Sequence, residues 1–324
     1  MRDLDINPLK PDEGGVNDDG VDRRGFLDCM TWAGTGLLWS IAGGVPAALT
    51  MAKAAEAAPA ETPFTFVQIS DSHLGFKKPA NTDVVATLQQ AIGRIKALPV
   101  KPAFMIHTGD ISHLSHPDEF DAAEKLIGEA GIPVFYVPGE HDLLDEGKGK
   151  SYLERYGKGS HGAGWHSFDH LGVHYIALVN VQNIGEGGLG RIGSDQLEWL
   201  AKDVAGLSAE TPIVVFAHIP LWMVYPAWGW GTDDGGRALE ILKRFGSVTV
   251  LNGHIHQVMQ KVEGSVSFHT ARSTAFPQPA PGEAPTAGPL VVPAGTLRDR
   301  LGITHVNFVR GSEPLAIVDT PLSA

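Results

Sequence analysis

The sequence predicts an α/β protein in which helices cover the faces of β-sheets. Apolar runs of strand length alternate with helical patterns, and the runs are nearly continuous, which is typical of strands buried on both faces. The chain has 324 residues, of which 43% are hydrophobic and 19% charged, so it can bury a large core. A net charge of −12 without a local basic patch argues against a nucleic-acid scaffold role.

The elements follow in a regular order. The first set is βαβαβ, with strands at 64–69, 103–107 and 133–137 and helices at 83–98 and 117–130. The second set begins with a hairpin at 165–169 and 173–179, followed by helix 194–207, strand 213–217, helix 235–245 and strand 248–251. The last predicted strands are 257–262, 266–270, 305–309 and 315–318, with a Pro/Gly/Ala-rich loop at 276–288.

The first 58 residues predict an export address that precedes one domain at 59–324. Arg23 and Arg24 stand before a charge-free run at 30–52, and small-x-small cleavage patterns occur at 55–57 and 58–60. The arginine pair resembles a twin-arginine signal, although Asp22 and Asp28 depart from its usual pattern.

This address makes the twin-arginine export machinery a predicted partner, with membrane contact only during export and a periplasmic or otherwise exported destination. The alternative is an uncleaved N-terminal segment that anchors the protein in a membrane, although glycines and a proline weaken that segment as a membrane helix.

The residue types available restrict the kind of metal site that the chain can build. Cys29 is the only cysteine, whereas there are 14 histidines. A disulfide framework and a thiolate zinc site are therefore excluded, and any bound metal must take nitrogen and oxygen ligands.

Acidic residues and histidines follow five of the predicted strands at the point where each strand ends. These blocks are Asp71-Ser72-His73, Gly109-Asp110, Gly139-Glu140-His141-Asp142, His218 and Gly253-His254-Ile255-His256. The carboxyl ends of strands in open α/β sheets line one crevice, so these side chains can converge on a metal. The glycines before Asp110, Glu140 and His254 allow tight turns and close backbone approach.

Taken in order, the five blocks resemble the calcineurin-like metallophosphoesterase family, and in particular its bacterial cyclic-nucleotide phosphodiesterase branch. The resemblance covers roughly residues 64–269 and implies a four-layer αββα sandwich of two mixed β-sheets flanked by helices, with the metal site at the carboxyl ends of the strands. It implies two divalent or mixed-valence metal ions, such as Mn, Fe or Zn, and hydrolysis of a small-molecule phosphoester, either a phosphodiester or a phosphomonoester, by a metal-bridging hydroxide.

The resemblance also assigns roles to residues. It implies Asp71, His73 and His256 as ligands of one metal, with Asp110 as the bridge. Glu140, His218 and His254 become the ligands of the second metal. His141 then faces the substrate, and Asp142 is expected to orient the His141 ring and raise its pKa.

Glu140 departs from the family pattern, which usually has asparagine at this position. An ionised glutamate adds a negative charge and has no donor for a substrate phosphate. We expect Glu140 to bind the second metal more tightly and to weaken affinity for an anionic substrate. The alternative to an esterase is therefore an exported metal-binding protein with weak or no phosphatase activity that acts through partners in the cell envelope.

Several other residues have both a functional and a structural interpretation. His113 lies close after Asp110 and can border the crevice, or it can simply cap a loop. The loop at 221–231 holds Trp222, Tyr225, Trp228 and Trp230 and can form a pocket rim or pack on itself. Three arginines are possible phosphate contacts, with surface ion pairs as the alternative, and these are Arg191, Arg237 and Arg272.

Overall fold

The computed structural model describes residues 37–42, 45–50, 63–309 and 315–324. The chain divides into two units, Met1–Ala60 and Glu61–Ala324. In the first unit, β1 (Leu37–Ala42) and β2 (Val45–Thr50) pair as an antiparallel hairpin within the charge-free run. No helix in the described part of the chain has the length and apolar character needed to cross a membrane. The arginine pair and the cleavage patterns lie outside the described residues.

The second unit contains two mixed β-sheets. Its strands are β3 (Phe64–Ile69), β4 (Met105–His107), β5 (Val134–Tyr136), β6 (His166–His170), β7 (Val173–Ala177), β8 (Ile213–Phe216), β9 (Val248–Asn252), β10 (Gln260–Glu263), β11 (Val266–Thr270), β12 (Gly302–Phe308) and β13 (Ala316–Pro321). The six-stranded sheet has the order β10-β11-β9-β8-β7-β6, and the five-stranded sheet has the order β13-β12-β3-β4-β5. Strands β3, β4 and β5 are parallel, as are β7, β8, β9 and β11.

Helices cover the outer face of each sheet. They are α1 (Val84–Lys96), α2 (Pro117–Gly128), α3 (Lys150–Tyr156), α4 (Ser194–Asp203), α5 (Gly235–Leu242) and α6 (Leu297–Arg300). Leu88 of α1 and Phe120 of α2 pack with Val67 of β3 in one core, and Leu200 of α4 packs with Val215 of β8 in another. Each sheet and the helices on its outer face thus form two of the four layers.

A third core lies between the two sheets. Successive residues on a strand point to opposite faces, so Val67 joins the helix-covered core while its neighbour Phe66 joins the central one. Phe66 meets Tyr175 of the other sheet edge to face, with ring centroids 5.5 Å apart. The predicted α/β class and the four-layer sandwich of two mixed sheets are confirmed.

The element predictions differ from the structure mainly in the C-terminal half. Strand β12 begins at Gly302, three residues before the predicted start, and β10 begins three residues after its predicted start. Helices α3 and α6 were not predicted, because each is short and lacks a repeated apolar period.

Candidate metal centre

The loops that follow the strands hold an unusual backbone conformation. Five of the predicted ligands have a positive φ, between 41° and 69°, and they are Asp71, His73, Asp110, His254 and His256. This left-handed conformation costs a non-glycine residue on the order of 1 kcal/mol and persists where the surroundings enforce it. Here neighbouring loops enforce it, since the Asp71 amide donates to the Gly109 carbonyl at 3.0 Å and the His73 amide donates to the Asp110 carbonyl at 2.9 Å.

One group of three converging side chains comes from β3 and β9. The Nε2 atom of His256 lies 3.3 Å from Oδ1 of Asp71 and 3.3 Å from Nε2 of His73. All three side chains are buried. Their donor atoms lie within 4.8 Å of one another, which is close enough for a single metal ion to contact them all.

A second group comes from the ends of β5, β8 and β9. The Oε2 atom of Glu140 lies 3.0 Å from Nε2 of His218, and its Oε1 lies 3.0 Å from Nδ1 of His254. The two imidazole nitrogens are 3.2 Å apart. The Glu140 carboxylate therefore points between the two histidines, where a metal ligand would have to point.

Asp110 lies between the two groups. Its Oδ2 is 3.4 Å from Nε2 of His73 and 3.5 Å from Nε2 of His218, while its Oδ1 accepts a hydrogen bond from the His141 amide at 3.0 Å. The same carboxylate oxygen thus faces both groups, as the bridging role assigned to it requires.

The ring protons of two of these histidines are turned away from the centre. The Nδ1 atom of His218 bonds the Thr108 carbonyl at 2.7 Å, and Nδ1 of His256 bonds the Phe276 carbonyl at 2.5 Å. A carbonyl can only accept, so each Nδ1 carries a proton and each neutral ring presents an Nε2 lone pair inwards. Lone pairs and carboxylates then face each other, and the buried Oε2 of Glu140 makes no hydrogen bond. A cation satisfies all of these atoms, so the residues fit a metal ion.

The charges in the centre shift the pKa values of its members strongly. Burial alone would raise the pKa of Asp71, but His256 and His218 lower it to about 2. Burial would lower the pKa of His218, but Asp110 and Glu140 raise it well above its usual value. The raised pKa of His218 favours a proton on its ring in the absence of metal, and metal binding has to displace that proton.

Close packing between the loops explains two of the glycines. A Cβ on Gly139 would overlap the Asp110 carboxylate, and a Cβ on Gly253 would overlap the Ser70 hydroxyl and lie 2.7 Å from Oδ2 of Asp71. The expected close backbone approach at these positions is present.

Asp142 makes no hydrogen bond to the His141 ring, whose Nδ1 bonds a backbone carbonyl instead, and the expectation that Asp142 orients that ring is wrong. The buried Asp142 carboxylate accepts hydrogen bonds from the amides of Ile111, Ser112 and Gly139, at 3.1, 2.8 and 3.0 Å. It therefore fixes the two loops rather than a ring. Burial raises the pKa of Asp142, the nearby Asp110 carboxylate adds to the rise, and the resulting pKa is about 6.

The His141 ring is oriented by a backbone carbonyl. Its Nδ1 bonds the His113 carbonyl at 2.7 Å, which leaves Nε2 facing the cleft. Burial would lower the pKa of His141, but the carboxylates of Asp110 and Glu140 raise it. Asp142 contributes less to this rise than either of them.

A cleft of about 460 Å³ opens over the centre. Trp228 and Trp230 line it, together with Ile219, so part of the aromatic loop forms a rim of the cleft. Trp222 instead packs on Phe268 in the helix-covered core, with ring centroids 5.0 Å apart.

None of the three arginines lines this cleft. Arg191 pairs with Asp233 at 2.6 Å at the surface, and Arg237 and Arg272 line other surface depressions. Lys78 borders the cleft instead, and no motif in the sequence marks this lysine.

Two more residues of the cleft have no signal in the sequence. Phe276 stacks on His73 with centroids 4.8 Å apart, and Gln278 donates to the His254 carbonyl at 3.1 Å. Both belong to the loop that follows β11, which folds back over the site. Nothing in that Pro-rich segment indicates where it folds.

The chain is similar in sequence to proteins named as phosphodiesterases. A probable cyclic nucleotide phosphodiesterase of Psychrobacter sp. is 26% identical over 185 residues, which cover 55% of this chain and 53% of that protein. A 3′,5′-cyclic-nucleotide phosphodiesterase of Nostoc sp. is 22% identical over 66% of this chain and 79% of its own length. The match to the Psychrobacter protein thus spans about half of that relative's length.

Similarity to solved structures supports the fold. A dimetal phosphatase from Danio rerio superposes with a TM-score of 0.57 over 79% of this chain and 98% of its own, at 14% identity. Residues 64–258 match the family model described as calcineurin-like phosphoesterase, and this range includes every predicted ligand. The chain therefore belongs to the calcineurin-like phosphoesterase family of metal-dependent hydrolases.

Proposed function

We propose that this protein hydrolyses a phosphodiester with the help of two metal ions. The observation that carries the proposal is the convergence of seven nitrogen- and oxygen-bearing side chains from five strand ends on one centre. Asp71, His73 and His256 would hold one ion and Glu140, His218 and His254 the other, with Asp110 touching both. Mn, Fe and Zn all suit these ligands. When bound, the ions activate water and neutralise charge on the phosphoryl group.

His141 is the residue that we assign to the leaving group. Its Nδ1 is held by the His113 carbonyl, so Nε2 is the ring atom directed to the cleft. A proton on Nε2 can pass to the ester oxygen as its bond to phosphorus breaks, so that the product leaves as an alcohol. Asp142 acts by holding the loop that carries His141.

The cleft supports a diester with an apolar or aromatic substituent. Trp228 is partly exposed and offers ring surface beside the charged centre, while the buried Trp230 packs against it with ring centroids 5.1 Å apart. Aromatic faces stack well on planar groups. The names of the Psychrobacter and Nostoc relatives point to the same class of ester.

Metal analysis and a model substrate test this function. We expect the purified protein to contain two metal ions per chain and to hydrolyse bis-p-nitrophenyl phosphate, and we expect Asp110→Asn to abolish the hydrolysis. Asp195→Asn changes an exposed carboxylate on α4 and is the matched control. Hydrolysis that survives both Asp110→Asn and removal of the metal would contradict the proposal.

Glu140 supports a second candidate, a metal-binding protein with little or no esterase activity that acts through envelope partners. A carboxylate beside the substrate position repels an anionic phosphodiester. Two bound metal ions without turnover of any mono- or diester would favour this candidate over the hydrolase.

We also propose that residues 1–58 form a twin-arginine export signal. Arg23, Arg24 and the charge-free run at 30–52 support this address. In a bacterial host with an active twin-arginine pathway, the wild-type chain should lose its N-terminus and reach the periplasm, whereas a double change of Arg23 and Arg24 to lysine should retain it inside. Retention of residues 1–58 in the membrane fraction would favour the anchor.

A further inference from the structure

The proposed mechanism uses the backbone carbonyl of His113 but not its side chain. His113 lies between a predicted ligand and the predicted leaving-group residue. Its Nδ1 is 3.4 Å from Nδ1 of His73, and its ring stacks on that of His141 with centroids 4.9 Å apart and an interplanar angle of 16°. Its side chain is half-buried and lines the cleft.

The position of the proton on His73 determines the proton on His113. The Nε2 atom of His73 faces Asp110 and His256, so a metal ion would need its lone pair and the ring proton must be on Nδ1. That Nδ1–H points at Nδ1 of His113, which must then accept. The remaining proton of a neutral His113 is consequently on Nε2.

The outer ring nitrogen of His73 has a different kind of hydrogen-bond partner from those of His218 and His256. The outer nitrogens of His218 and His256 donate to backbone carbonyls, whereas the outer nitrogen of His73 meets a side chain. Partners of this kind fix the orientation of a metal-binding imidazole and increase its basicity.

The Nε2 atom of His113 has no partner among the described residues and is not among the buried atoms that lack one, so it is open to the cleft. The loop that carries it is rigidly held, because Oε2 of the buried Glu119 accepts from the amides of His113, Leu114 and His116 at 3.2, 2.7 and 3.2 Å.

We propose that His113 has two roles in this site, which rest on the proposed function: Nδ1 positions the metal ligand His73, and Nε2–H donates a hydrogen bond to a phosphoryl oxygen of the bound substrate. His113 is thus a positioning residue on one side of its ring and a substrate contact on the other. The residue is neutral in both roles.

Two variants separate the roles, since an asparagine amide lies near the position of Nδ1 and a glutamine amide near that of Nε2. We expect His113→Gln to weaken the binding of one of two metal equivalents about 10-fold or more, measured by competition with a chelating indicator. We expect His113→Asn to bind both metal equivalents as wild type does, but to bind inorganic phosphate about 10-fold more weakly in the metal-loaded protein, measured by calorimetry. His161→Asn changes an exposed histidine and should alter neither.

Unchanged metal affinity in His113→Gln would overturn the positioning role, and unchanged phosphate affinity in His113→Asn would overturn the contact. Neither measurement needs turnover. If the wild-type protein binds metal and phosphate but cleaves no ester, the proposed function fails while both roles of His113 are still decided.

Discussion

Oε2 of Glu140 lies 3.0 Å from Nε2 of His218, yet the buried carboxylate oxygen has no hydrogen bond. The ring proton of a neutral His218 is on Nδ1, where it bonds Thr108. Two electron-rich atoms therefore face each other in a buried site, an arrangement that a metal ion stabilises and that an empty site relieves only by taking up a proton.

The replacement of asparagine by glutamate at position 140 should control turnover. We expect Glu140→Asn to raise kcat/KM for bis-p-nitrophenyl phosphate about 10-fold, because it removes a negative charge and adds an amide donor beside the phosphate. It should also weaken binding of the second metal ion. Glu283→Asn, in the exposed loop after β11, is the control. Unchanged metal content together with unchanged kinetics would contradict this prediction.

Gly139 and Gly93 should respond in opposite ways to alanine. A Cβ at Gly139 would overlap the Asp110 carboxylate, so Gly139→Ala should reduce metal binding at least 10-fold. Gly93 lies inside α1 with no atom within 4 Å of an added Cβ, so Gly93→Ala should stabilise the fold by about 0.5–1 kcal/mol. Urea denaturation and metal titration of both variants give the comparison. Equal effects of the two changes would argue against the close packing of the loops.

His174 should contribute a pH-dependent part of the stability, far along the sequence from the ligands. Its Nδ1 lies 2.8 Å from Asp169 and its Nε2 lies 2.9 Å from Asp203. Burial would lower the pKa of His174, but the bonds to Asp203 and Asp169 raise it above the usual 6.5. A raised pKa means that this stability is fully present below the unfolded value and is lost as the pH rises through the folded value.

We therefore expect His174→Gln to lower the free energy of unfolding by about 2 kcal/mol at pH 6 and by progressively less at alkaline pH. Urea denaturation of variant and wild type across this range measures the difference. Gln182→Ala, at an exposed site without a titratable group, should show no such pH dependence. A difference that grows with pH would reverse the sign of the argument.

Trp228 and Trp222, which both belong to the loop at 221–231, should respond differently to replacement by alanine. We expect Trp228→Ala to raise KM for aryl phosphodiesters about 10-fold and to leave KM for methyl diesters nearly unchanged, because one face of the cleft is lost. Trp222→Ala should instead lower Tm without altering this preference, since Trp222 packs against Phe268. If both variants changed only Tm, the rim would have no role in substrate choice.

Much of the fold, and the convergence of the predicted ligands on one centre, could be predicted from the sequence for a physical reason. Continuous apolar runs such as 213–216 mark buried parallel strands, and parallel strands carry their following residues to one edge of a sheet. Asp71 and His218 could thus be placed together although the pattern contains no information on distance. The start of β12 was missed because Gly302 and Thr304 interrupt its apolar character.

The groups that hydrogen-bond to the predicted site residues could not be predicted from the sequence. The backbone carbonyl of Phe276 accepts a hydrogen bond from Nδ1 of His256, and every residue type possesses such a carbonyl. Asp142 was expected to contact its sequence neighbour His141, but its carboxylate turns to backbone amides of another loop. Contacts of this kind depend on how loops cross in space, and local pattern does not determine that.

The seven converging side chains come from both sheets. Four follow strands of the five-stranded sheet and three follow strands of the six-stranded sheet. A metal ion bound here would cross-link the two sheets, because its ligands come from both of them. The free energy of metal binding would then add to the free energy of unfolding of the whole domain. The thermal stability of the protein would therefore depend on the concentration of free metal.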